Sequence, residues 1–222
     1  MTDQPGNTEP SFREKHSRSI RIWHWSTFVI IMGSLITVLL AKTMLNTRSN
    51  IPLVQQSLQQ SNVTVTADQA KSVAHAFNDK VWNWHIYLGY VLAGLFLFRI
   101  VFEFFQPKKE KVIPIIRNAL KYLKQPTADK MHGRHYLLVR FAYVSFYCAL
   151  FVQVCTGLFM VYSDDMENLK DIRHTASDIH SVFMWLIIAY IVIHITGATV
   201  AEFNKKGKGM ISDMINGGEE NE

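Results

Sequence analysis

The chain has 222 residues, 49% of them hydrophobic, 12% aromatic and 18% charged, with a formal net charge of +5. The apolar residues fall into four long blocks divided by polar stretches, which excludes an ordinary soluble domain, whose surface helices keep a polar face. The basic residues gather in alternate segments between those blocks, so they report topology and give no support to nucleic-acid binding.

Residues 1–19 are polar, and the first apolar block, 22–45, is longer than a signal-peptide core, so it is expected to be a retained first span. The remaining blocks cover 81–105, 136–162 and 177–203. Each exceeds the ~20 residues that a helix needs to cross a ~30 Å hydrocarbon core. The expected fold is an all-α membrane protein, a bundle of four transmembrane helices occupying residues 20–203. Between the first two spans lies a long external loop, 46–80, in which Thr66 and Gln69 have capping-box spacing and predict a short helix through Phe77. The cytoplasmic loop, 106–135, contains a stretch, 113–124, where apolar and basic residues alternate at helical spacing, as in a helix lying on a membrane surface. A polar tail, 204–222, follows the last span. Trp23 and Trp25 open span one, and Trp82 and Trp84 open span two, positions suited to interfacial aromatic belts. Cys148 and Cys155 are seven residues apart in span three, ~10 Å along a helix, too far for a disulfide within it.

Fifteen Lys and Arg residues lie in the first tail, the 106–135 loop and the last tail, against five in the other two connections. The positive-inside rule then places both termini and the middle loop in the cytoplasm, which an even number of spans allows. A multi-pass membrane protein with both ends in the cytoplasm is expected.

Four of the nine histidines fall within spans: His24, His85, His180 and His194. Any one of them could be a satisfied packing residue, but their depths are correlated. His180 and His194 are 14 residues apart, so they share one helix face at levels ~21 Å apart. By span direction, His85 is level with His180 near the external surface, and His24 lies on the same side as His194 near the cytoplasm. Two stacked bis-histidine pairs suit haem iron, since neutral imidazole is an axial ligand and the macrocycle fills a slot between helices. Zinc wants four close ligands, which a ~21 Å separation forbids. Proton relays usually add Asp or Glu, and here Glu103 and Glu202 stand only at the cytoplasmic ends. Arg99 follows His85 by the same 14 residues, so a haem propionate or a lipid phosphate would complement it. Gly89, Gly157 and Gly197 lie near the two levels and leave room for a flat group.

The stretches Arg21-Ile-Trp-His-Trp25, Trp84-His-Ile-Tyr-Leu-Gly-Tyr90 and Phe98-Arg-Ile100 resemble the first two spans of bacterial cytochrome b561. Gln153-Val-Cys-Thr-Gly-Leu158, Asp178-Ile-His180 and His194-Ile-Thr-Gly197 are similar to the last two. In layout the chain also looks like the b-type cytochrome subunits of membrane-bound nickel–iron hydrogenases, across residues 17–203. The resemblance implies two haems b, with His24, His85, His180 and His194 as ligands, and exchange of electrons with membrane quinone. One departure concerns the quinone region: relatives carry Gly-His-Asn-Pro before span three, where this chain reads His132-Gly-Arg-His135. His135 and Arg140 are the quinone-site candidates there, with contact to lipid phosphate as the plainer alternative. The expected function is electron transfer between an external redox protein and quinone. A stand-alone oxidoreductase passing electrons from a small reductant such as superoxide to quinone is the alternative. A haem-free transporter is the reading from another class.

Overall fold

Lipid offers no water to pair backbone N–H and C=O groups, so each apolar block must satisfy its own as a helix. In the computed structural model, which describes residues 17–105, 117, 120, 130–203 and 209–217, the helices are α1 Arg18–Lys42, α2 Thr47–Gln60, α3 Ala67–Phe105, α4 Lys130–Tyr162, α5 Lys170–Phe203 and α6 Met210–Asn216. No strand occurs among the described residues. Four stretches are long and apolar enough to cross a membrane: Arg18–Lys42, Ala67–Phe105, Leu137–Tyr162 and Glu167–Phe203. Between 6% and 17% of each span's most apolar window is buried within the protein, so side chains such as Val29, Leu97 and Ile193 face outward. Lipid, not water, accommodates that much apolar surface. The all-α, four-span class expected from the sequence is therefore the one observed.

Two elements differ from expectation in the connection between the first two spans. The capping box forms, with Gln69 N–H donating to Thr66 Oγ1 at 3.2 Å and Thr66 N–H to Gln69 Oε1 at 2.9 Å. The helix it starts does not stop at Phe77 but runs 39 residues to Phe105. Nothing between Phe77 and Val81 breaks a helix, and Asn78, polar enough to suggest a loop, caps the neighbouring helix instead. Its Nδ2 donates to the Ala41 and Leu45 carbonyls at 3.0 and 2.8 Å, at the C-terminal end of α1 where carbonyls lack helical partners. At ~1.5 Å per residue α3 is ~58 Å long, well beyond the ~30 Å of a hydrocarbon core. Helix α2 is a further addition. Asn46 caps it, its side chain accepting from Arg48 N–H at 3.1 Å and Ser49 N–H at 3.3 Å. Pro52 inside the helix hides it from a sequence reading. The surface helix expected over 113–124 falls outside the described residues except for Arg117 and Leu120.

The described residues divide into two compact units, His24–Leu95 and the remainder. In the first, α1 meets α3 closely at Gly33, where an added Cβ would stand 3.3 Å from Leu88 Cδ1. In the second, α4 packs along α5, and the turn between them is fastened by an ion pair of Asp164 with Arg173. Helix α6 packs back on α5. The Glu202 carboxylate accepts from Gly209 N–H at 2.9 Å and Ile211 N–H at 3.0 Å, binding donors that the first turn of α6 leaves unpaired. At the other end of α6 lies the Arg21 guanidinium, so close that a Cβ on the left-handed Gly217 (φ +94°) would fall 2.6 Å from its Nη1. A cation there complements the helix dipole.

Candidate functional site

All four span histidines are half-buried. Each is presented by a long helix whose backbone is already paired, so the imidazoles are the polar groups that the apolar surroundings must accommodate.

His85 on α3 faces α1. Its Nδ1 is 3.0 Å from Thr37 Oγ1 and 3.3 Å from the Ser34 carbonyl, while Trp82 meets the ring edge-on with centroids 5.5 Å apart. His180 on α5 faces α4, with Nδ1 2.9 Å from Thr156 Oγ1 and Nε2 2.8 Å from Gln153 Nε2. Gly157 sits beside it, where an added Cβ would come within 3.2 Å of the ring carbon Cε1. The other amide atom, Gln153 Oε1, is buried without a hydrogen-bond partner. His24 on α1 meets the Trp25 ring edge-on at 5.3 Å. His194 on α5 stacks on Tyr190, with centroids 5.7 Å apart and planes 7° apart, and Tyr190 stacks in turn on Phe146 at 4.6 Å. Helix α5 is uninterrupted from His180 to His194, which keeps the two rings ~21 Å apart along its axis. His75 and His174 instead form exposed pairs with Asp79 and Asp178, each at 3.3 Å and one helical turn away.

Arg99 has a protein partner that the sequence reading did not give it. Its Nη1 donates to Glu103 Oε2 at 2.8 Å and its Nε to the Tyr147 hydroxyl at 3.2 Å. The guanidinium also lies over the Trp23 and Tyr147 rings, 5.8 and 5.5 Å from their centroids. Trp23, expected in the interfacial belt, is buried at 8% exposure beneath that cation. Trp25 and Trp84, at 40% and 59%, are exposed as a belt requires. Arg140 lies over the Tyr143 ring at 6.0 Å. His135 falls on α4, and its side chain is outside the described residues.

The sequence reading gave no role to Thr37, Ser34, Thr156 or Gln153. Gln153 and Thr156 lay within a quoted motif, yet their meeting with His180 depends on how α4 and α5 are registered, which no local pattern encodes. The Arg99–Glu103 pair was legible in principle from its spacing of four.

Chemically, the half-buried imidazoles are the donors suited to an axial, two-ligand metal group. Among the described residues no three His, Cys, Asp or Glu side chains gather into the cage that a chelated ion such as zinc uses. Comparisons with curated proteins and with solved structures returned no match. The model of one protein family, described as prokaryotic cytochrome b561, matches residues 15–217, almost the full length of the chain. The chain belongs to the prokaryotic cytochrome b561 family, and is accordingly a multi-pass bacterial membrane cytochrome of the b type with a role in electron transfer.

Proposed function

We propose that the protein is a di-haem cytochrome b subunit that carries electrons across the membrane between an external redox protein and membrane quinone. In this reading His85 and His180 ligate one haem near the external surface, and His24 and His194 ligate the other near the cytoplasm. Both termini lie inside.

The observation that carries the proposal is the surroundings of His180. Its Nδ1 is engaged by Thr156, Gly157 places no Cβ against ring carbon Cε1, and Nε2 meets the movable end of a glutamine. The buried, unpaired Oε1 of that glutamine supports a site whose polar groups are completed by something else. This donor chemistry fits haem, and His85 repeats it through Thr37. Bound haem supplies one-electron exchange at iron; this chain's residues ligate it, orient it and keep water from it.

Arg99 is proposed to meet a propionate at the cytoplasmic level. Glu103 and Tyr147 engage Nη1 and Nε of a group with five N–H donors. His135 and Arg140 remain the candidates for contact with quinone. A docking partner on the external side is supported by α2, the following turn and the start of α3, which expose Leu53, Val63 and Phe77 at 58%, 47% and 60%.

The test is the His180→Ala variant, purified in detergent with haem supplied during expression. The proposal expects half the haem of the parent, with the remaining haem keeping its spectrum. Full haem content in that variant would refute the ligand assignment. Co-purification of a larger redox protein from the native membrane supports the subunit reading over a stand-alone oxidoreductase, which turns over alone.

A further inference from the structure

The two histidines assigned to the external level are held in the same way by different helix pairs, α3 against α1 and α5 against α4. Each has its Nδ1 within hydrogen-bond distance of a threonine hydroxyl, Thr37 at 3.0 Å and Thr156 at 2.9 Å. A hydroxyl has one proton, and in both cases the main chain takes it. Thr37 Oγ1 donates to the Ser34 carbonyl at 2.6 Å, and Thr156 Oγ1 donates to the Val152 carbonyl at 2.7 Å. With the proton committed there, the oxygen faces the imidazole as an acceptor, so Nδ1 must be the donor. A second contact agrees at His85, where the Ser34 carbonyl, an acceptor only, lies 3.3 Å from the same Nδ1. At His180 the opposite nitrogen agrees: a lone pair on Nε2 is what an amide NH2 at 2.8 Å would seek.

From this geometry we infer that Thr37 and Thr156 are positioning residues that fix His85 and His180 as Nδ1–H tautomers, which leaves Nε2 as the nitrogen through which each would ligate haem. The inference rests on the ligand assignment above and adds to it a device for tuning that haem. A hydroxyl that donates to a carbonyl is a better acceptor for it, so each threonine draws on Nδ1–H and makes the imidazole more basic. A more basic axial ligand favours ferric over ferrous iron and lowers the midpoint potential. Loss of either hydroxyl therefore raises it. The shift should be smaller for Thr37, because the Ser34 carbonyl remains to accept from His85.

The experiment is a potentiometric titration at fixed pH with low-spin ferric EPR. It is run on Thr37→Val, Thr156→Val and the double variant, with Thr37→Ser and Thr156→Ser alongside and haem counted in each. The expected result is an upward shift in one haem, the same haem in both valine variants, with changed EPR g-values, larger in the double variant and reversed in the serine variants. Loss of that haem in a valine variant but not in its serine counterpart also supports a role for the hydroxyl. Loss in both would assign the effect to threonine packing and overturn the inference. Unchanged potential and g-values in the valine variants would overturn it as well. His85→Ala and His180→Ala, measured in parallel, separate the two levels: if they lose the same haem while the valine variants shift nothing, the ligands stand and the threonines fall. If neither histidine variant loses haem, both fall.

Discussion

His180 shows how much one residue depends on its neighbours' smallness. Gly157 leaves the imidazole room that even a methyl would narrow, since a Cβ would stand 3.2 Å from Cε1. Gly157→Ala asks the ring to give by a few tenths of an ångström and should keep both haems with a weakened external one. Gly157→Leu has no such adjustment and should lose the external haem, as a haem count against helix content by circular dichroism will check. Arg99 makes the complementary point about charge. Its carboxylate partner sits one turn away, and the two side chains are 12% and 29% exposed. Arg99→Leu leaves Glu103 without its guanidinium and should cost ~1–3 kcal/mol in detergent unfolding. In the double variant with Glu103→Leu part of that loss should return, and strict additivity of the two would show the pair to be uncoupled. The four span histidines stand out in the sequence as candidates because ionisable residues are rare in spans and their spacing is regular. The threonines were not legible there, because Thr37 and Thr156 lie 48 and 24 residues from the rings they touch. Only the packing of two helices brings them together.

At the scale of elements, periodicity and length located the four spans because lipid imposes a minimum run of apolar residues. The connection between the first two spans was harder, because water imposes no such minimum. There the Thr66–Gln69 box marked the start of α3, while the end expected at Phe77 does not exist, the helix running on through Asn78 and Asp79. Helix α2 was not expected: Asn46 is a sound N-cap residue, but Pro52 inside the helix argues against one. Removing the box by Thr66→Ala should cost ~1 kcal/mol at the start of α3. Hydrogen exchange should rise in the first turn of α3 and stay unchanged around His85, with haem content intact. Exchange that rises throughout α3 would mean that its external and membrane parts unfold as one element.

For the whole molecule, charge asymmetry and histidine depth combine into a proposal about orientation: one haem toward the external face and one toward the cytoplasm. Cysteine labelling checks the orientation. With Cys148 and Cys155 replaced by alanine, Asn62→Cys in the α2–α3 turn should react with an impermeant maleimide added to intact cells, and a cysteine at Ser212 in α6 only after lysis. The reverse pattern would invert the topology. The central claim is haem itself, and its most direct measurement is a reduced-minus-oxidised visible spectrum of the purified protein with a pyridine haemochrome count. The account predicts a b-type spectrum and two haems per chain. A well-folded, haem-supplied preparation with no haem would contradict it, and the four aligned histidines would then need an explanation in proton transport or packing.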